Sequence, residues 1–161
     1  FKEKTQVTDA HHRYMMTQLA TISNPHFEVS DMEIKREGTT YTVDTMKQMK
    51  SLYPHAELFF ITGADAVFEI VGWKDSAELA NLVTFIATTR PGYDLSQAKM
   101  RHQDSIIDFK INWIEVPALS VSSTDLRSRL KEGRSVRYLI PRPVIGYIKK
   151  MGLYDTLNQG L

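Results

Sequence analysis

Leu58-Phe59-Phe60-Ile61-Thr62-Gly63-Ala64-Asp65 decides the fold. A short continuous apolar run passes directly into a threonine, a glycine and an acid. Two similar runs follow, Leu82 to Ala87 and Ile111 to Val116, both holding β-branched residues. A helical stretch separates each run from the next. Continuous apolar strands alternating with helices argue for an α/β fold, a parallel sheet with helices on both faces.

In open parallel sheets ligands bind beyond the carboxyl ends of the strands. The first run is followed there by Thr62-Gly63-Ala64-Asp65, and the second by Thr88-Thr89-Arg90-Pro91-Gly92-Tyr93. The third leads through Pro117 to Val121-Ser122-Ser123-Thr124-Asp125-Leu126-Arg127. Polar and glycine-bearing segments therefore gather on one rim. At the last of them, hydroxyls meet the partnerless N–H groups of a starting helix, where the helix dipole favours negative charge. Arg127 follows one turn later with a fork of donors that fits phosphate oxygens. A plain helix start uses the same residues, with Ser122 as N-cap and Asp125 three positions on. The shared rim favours the phosphate.

Each remaining candidate has a functional and an ordinary role. Gly63 lets the backbone pass close to a ligand. Asp65 could accept from ribose hydroxyls or cap the next short helix. Trp73 lies between Gly72 and Lys74 with no apolar periodicity around it. It could stack on an aromatic ring, with cation–π attraction if that ring is a pyridinium, or fold over the core. Arg90 precedes a Pro-Gly turn and could reach a phosphate or simply lie on the surface. Thr42 caps a helix, and its hydroxyl could also face a ligand.

The rest of the chain sets bounds. A length of 161 residues, 42% of them hydrophobic, suits one domain with a real core. The absence of cysteine excludes disulfides and thiolate zinc sites and fits a reducing compartment without establishing one, and a cytoplasmic location is the expectation. No stretch reads as a signal peptide or membrane span, so no membrane partner is expected. A net charge of +1 gives no global nucleic-acid footprint. Eight Lys or Arg against two acids between Asp125 and Lys150 read as a solvated helical face, Arg127 excepted. The five histidines have no metal-like spacing, so no metal ligand is assigned among the residues. No Ser/His/Asp set or carboxylate pair stands out. Helices are expected over Thr8 to Ile22, capped by Thr8 or Asp9, and from a Thr42 cap with the stripe Val43, Met46, Met49 and Leu52. Two more are expected over Ser122 to Lys131 and Pro141 to Met151, the last ended by Gly152. Phe27 to Ile34 alternates loosely and suggests a short strand or edge, and Glu37-Gly38 a turn.

Ser122-Ser123-Thr124-Asp125-Leu126-Arg127 resembles the SSTxxR signature of the nucleotidylyltransferases. Glu37-Gly38-Thr39-Thr40-Tyr41-Thr42-Val43-Asp44-Thr45, Phe60 to Asp65, Trp73, Arg90-Pro91-Gly92-Tyr93 and Gly152-Leu153-Tyr154 follow in an order that resembles the bacterial nicotinate-nucleotide adenylyltransferases. The resemblance runs from about Lys2 to Tyr154. It implies a single Rossmann-like nucleotidylyltransferase domain over residues 1–161. It also implies a transfer of AMP from ATP to nicotinate mononucleotide, giving deamido-NAD and pyrophosphate in NAD biosynthesis. Trp73 would stack on the pyridine ring. Thr42 and the backbone around Lys74 would hold its carboxylate, and Gly63 and Asp65 would meet the ribose. Ser122, Ser123, Thr124 and Arg127 would hold the ATP phosphates, with Arg90 flanking them and Mg2+ neutralising them. Two alternatives stay open: phosphopantetheine adenylyltransferase, against which Trp73 and the Tyr41-Thr42 helix start speak, and a non-catalytic nucleotide-binding fragment. Self-association is open as well.

One departure is marked. The family opens with a strand and a GxFxPxHxGH motif whose histidines serve the triphosphate, and no such motif occurs here. The chain begins at Phe1, past the family's first strand–helix–strand. The expectation is the C-terminal part of a longer domain, inactive and poorly folded by itself, with its catalytic residues unassigned.

Overall fold

The computed structural model describes residues 7–67, 69–89, 107–117 and 121–155. They form two compact units, Arg36–Leu119 and a second made of Phe1–Lys35 with Ser120–Leu161.

The first unit holds the sheet. β1 (Phe59–Gly63), β2 (Thr84–Thr89) and β3 (Ile111–Glu115) lie side by side in that order, both pairings parallel. Phe60 registers with Phe85, and Phe85 with Ile111. The expected runs are right in number and order and shifted in extent. β1 runs on through Thr62 and Gly63, because Gly63 still pairs with Thr88. β2 starts late, because Leu82 closes the preceding helix and Val83 N–H caps it at Leu79 O.

α3 (Thr42–Leu52), the single turn α4 (Ala64–Val67) and α5 (Ser76–Leu82) accompany the sheet, with a 3-10 turn over Ile70–Gly72. Side chains alternate across a strand, and every second residue of β2 is buried. Phe85, Ala87 and Thr89 are the buried set. Phe85 and Ala87 meet Val43 of α3, Val67 of α4, Ile70, and Leu79 and Ala80 of α5 in one core. Phe60, Phe85 and Phe109 stack edge to face at 5.7 Å steps through it, a favoured aromatic geometry. The opposite side of the strands carries Ile61, 69% exposed, with Phe59 and Ile114 about half exposed. The α3 stripe is buried at Val43 and packs at Met46, but Leu52 at its end is exposed.

The second unit is helical: α1 (Ala10–Thr21), the short α2 (Met32–Lys35), α6 (Ser123–Lys131) and α7 (Arg142–Lys150). Leu130, Val136, Val144 and Ile148 form its core, with Met16 and Leu19 of α1 packed on it. Asp9 caps α1 by accepting from His11 N–H at 2.8 Å. His12 Nδ1 and Tyr147 Oη, 2.8 Å apart, tie α1 to α7. Pro141 is the N-cap of α7 and Pro143 follows at its second position. There the missing N–H costs nothing. Gly152, at φ +61°, ends α7 with its N–H on Lys149 O.

The edge strand expected over Phe27 to Ile34 is not there: residues 27–31 have no regular structure and α2 follows. Local polar bonds win over the loose alternation. Ser30 accepts from Met32 N–H, Asp31 O accepts from Ile34 and Lys35, and Asp31 pairs with Lys35 one turn on. Such side chain–backbone bonds compete with a strand ladder.

Candidate active site

The candidate residues fall into two groups, one in each unit. In the sheet unit the group is built around the start of α3. The cap was expected at Thr42, but the structure places it one residue earlier. Tyr41 has extended φ and ψ and makes no side-chain cap bond, while Thr42 is the first helical residue. Tyr41 O accepts from Asp44 and Thr45 N–H. Thr42 thus stands in the first turn of an eleven-residue helix, where orphan N–H groups and the dipole favour an anion.

Trp73 and Lys74 follow the 3-10 turn that precedes α5. Trp73 stands edge to face on Phe60 of β1, ring centroids 6.0 Å apart, and is only half-buried. The packing on Phe60 is the expected fold over the core, and part of the side chain remains accessible. Lys74 Nζ lies 3.3 Å from Asp44 Oδ2 and 4.4 Å from the centroid of the Tyr41 ring. The structure thus brings Lys74 against the same helix turn that holds Thr42. α3 is also bridged to α5 by Lys47 and Glu78, 2.7 Å apart, and hydrogen bonding to Glu78 holds the Lys47 ammonium above its ordinary value.

Gly63 is the last residue of β1, with open space where a Cβ would stand. The backbone beside it is accessible to a ligand. Asp65 is exposed and sits inside the first turn of α4, not at its cap. The capping role is therefore not the one it plays. Thr88 Oγ1 donates to Thr62 O at 3.1 Å and ties β2 to β1 beside Gly63.

In the helical unit Ser122 is the N-cap of α6, and its hydroxyl accepts from Asp125 N–H at 3.1 Å. Only half of a capping box forms, because the Asp125 carboxylate turns to Arg129 Nε at 2.7 Å. Ser123, Thr124 and Arg127 are exposed on the first turns, with Arg127 Nη2 3.4 Å from Thr124 Oγ1. Cap and anion site are compatible here. The cap uses the Ser122 hydroxyl, while Ser123, Thr124 and Arg127 offer donors outward. Arg90 lies outside the described residues.

Neither Tyr41, read only as part of the helix start, nor Asp44 was given a role towards Lys74 by the sequence. Asp44 and Lys74 are 30 positions apart, and no periodicity links a helix turn to a loop across that distance. The signal available was local: an acid in the first turn after Thr42 and a base beside a loop tryptophan. Among the described residues no three His, Cys, Asp or Glu side chains gather where they could hold a metal ion. None of the described helices is long and apolar enough to cross a membrane.

The cytidylyltransferase-like family matches residues 1–129. A protein of Clavibacter michiganensis named probable nicotinate-nucleotide adenylyltransferase is 51% identical over 154 residues, 96% of this chain and 74% of that protein. One of the same name from Moorella thermoacetica is 49% identical over 163 residues, 99% of this chain and 75% of its own. Among solved structures, nicotinic acid mononucleotide adenylyltransferase of Plasmodium falciparum, complexed with NaAD, superposes with a TM-score of 0.72 at 25% identity. That match covers 96% of this chain and 78% of that one. The same enzyme complexed with APC gives 0.71 at 26% identity, over 95% and 79%.

Proposed function

Since the chain belongs to the cytidylyltransferase-like family, and within it to the nicotinate-nucleotide adenylyltransferases, we infer that it transfers the adenylyl group of ATP to nicotinate mononucleotide. The products are deamido-NAD and pyrophosphate. A 5′-phosphate oxygen of the mononucleotide attacks the α-phosphorus of ATP. The bond from that phosphorus to the bridging oxygen breaks, and pyrophosphate leaves with the electron pair. Such a transfer needs positioning and charge stabilisation more than a protein nucleophile.

The residue roles follow from that reaction. The accessible part of Trp73 stacks on the pyridinium ring, gaining cation–π attraction. Thr42, in the first turn of α3, and the backbone around Lys74 donate to the ring carboxylate. A carboxylate only accepts hydrogen bonds, whereas an amide also donates, so a cluster of donors favours the acid. Gly63 and Asp65 meet the ribose, with the exposed Asp65 carboxylate accepting from hydroxyls. Ser122, Ser123, Thr124 and Arg127 take the ATP phosphates, and Arg90 flanks them. No residue of this chain is assigned to magnesium, which would come bound to ATP. It neutralises phosphate charge when bound. Residues 1–161 belong to one Rossmann-like nucleotidylyltransferase domain, and the protein works in the cytoplasm.

The observation that carries this proposal is the joining of the Trp73-Lys74 loop to the first turn of α3. It assembles an aromatic face and an anion-favouring helix end within one unit. The test is product identification by mass spectrometry after incubation with ATP, magnesium and one acceptor at a time. Deamido-NAD from nicotinate mononucleotide is the expected product. Dephospho-coenzyme A from phosphopantetheine, with none from the mononucleotide, would overturn the proposal.

A further inference from the structure

Lys74 presents a problem for the site just described. A cation beside an aromatic ring and a helix N-terminus invites assignment as the group that meets the substrate carboxylate. Its ammonium is already committed, to Asp44 Oδ2 at 3.3 Å and to the face of Tyr41 at 4.4 Å. Both partners belong to the start of α3, on either side of Thr42. A half-exposed pair of this kind adds little to stability, so its geometry needs another reason.

The loop around it is tightly specified. Trp73 leans on Phe60. Asp75, next after Lys74, lies in the left-handed region at φ 49° and ψ 41°, a conformation that Asp adopts more readily than most residues with a Cβ and that sets a sharp turn here. The nearly buried Ser76 hydroxyl donates back to Val71 O at 3.0 Å, closing the loop at its base. Lys47 and Glu78 fasten the following helix to α3. These attachments hold the two flanks of residues 73–75 and the Trp73 ring, and the Lys74 side chain joins the loop to the turn that bears Thr42.

We propose that Asp44 and Tyr41 are positioning residues for acceptor recognition: they use the Lys74 side chain as a latch that holds the Trp73-Lys74 backbone against the first turn of α3. In this arrangement the carboxylate is met by backbone donors and Thr42, not by the Lys74 ammonium. The inference rests on the acceptor reading above and refines which atoms serve it.

The test uses the full-length protein and compares Asp44→Asn, Lys74→Met, Lys74→Arg and the Asp44→Asn/Lys74→Met pair. The latch predicts that either single loss raises KM for nicotinate mononucleotide about two- to fivefold, the range of an exposed pair. The double variant is no worse than the poorer single, Lys74→Arg restores the value, and KM for ATP does not move. A fall in KM for nicotinate mononucleotide in Asp44→Asn, with a rise in Lys74→Met, would overturn the latch, since it would mean that the freed ammonium binds the carboxylate itself. A shift in Tm with no change in KM would also overturn it. A substrate-free measurement separates the latch from the reaction. With Trp113→Phe in the background, Asp44→Asn makes Trp73 more accessible to acrylamide quenching. Unchanged quenching overturns the latch whatever the acceptor, and wild-type protein inert towards nicotinate mononucleotide defeats the reading of the reaction.

Discussion

Two side chains carry opposite ends of the proposed chemistry, and their surroundings separate their effects. Arg127 is exposed, and its hydrogen-bond contact is with Thr124 on its own helix. Its replacement by Ala leaves Tm unchanged. Loss of a charge-assisted hydrogen bond to phosphate is worth about 1.5–3 kcal/mol, so kcat/KM for ATP falls by about ten- to a hundredfold in steady-state kinetics. Trp73 differs because one side packs on Phe60. Trp73→Ala loses stacking worth about 1–3 kcal/mol and raises KM for nicotinate mononucleotide about five- to a hundredfold, with a lower Tm. Trp73→Phe keeps much of the packing and recovers most of the Tm. A Trp73→Ala variant with unaltered acceptor KM would remove the ring from the site.

At the scale of elements, capping and core packing make separable predictions. Ser122 accepts one otherwise orphan N–H of α6, and Ser122→Ala costs about 1 kcal/mol in urea unfolding. Leu79 of α5 is fully buried in the sheet unit, and Leu79→Ala costs about 2–5 kcal/mol by the same measurement. The end of α6 supplies a pH-dependent effect. The Ser128 hydroxyl, and then Arg134, hold the Glu132 carboxyl below its ordinary value of 4.5. A carboxyl lowered on folding adds stability above its unfolded value, and that stability is lost as pH falls through the folded one. Ser128→Ala therefore brings the Glu132 titration, followed by NMR, back towards the ordinary value and weakens the loss of stability on that acid limb.

At the scale of the whole molecule, the three described strands, the long helices and the cap at Ser122 were legible in the sequence because each depends on local pattern. Phe85 and Ala87 announce a buried strand by composition, and Ser122 announces a cap by its place before a polar helix. The failures have a shared physical cause. The strand expected over Phe27 to Ile34 gives way to bonds from Ser30 and Asp31, side-chain chemistry that alternation does not encode. Thr42 is displaced from the cap because Tyr41 keeps extended geometry without a side-chain bond. The engagement of Lys74 by Asp44 and Tyr41 is a tertiary contact between a helix and a loop, invisible to any spacing rule. Candidate residues can therefore be proposed one by one from the sequence, while the contact that brings Lys74 to the start of α3 cannot.

The reaction itself has a simple discriminating measurement: pyrophosphate release by the full-length protein with ATP and magnesium, run in parallel with nicotinate mononucleotide and nicotinamide mononucleotide. The donors proposed at Thr42 and the Lys74 backbone predict the acid as the better acceptor, with a clearly higher kcat/KM than the amide. Equal use of the two, or preference for the amide, would contradict a carboxylate site at the start of α3, and no release with either would contradict the adenylyl transfer.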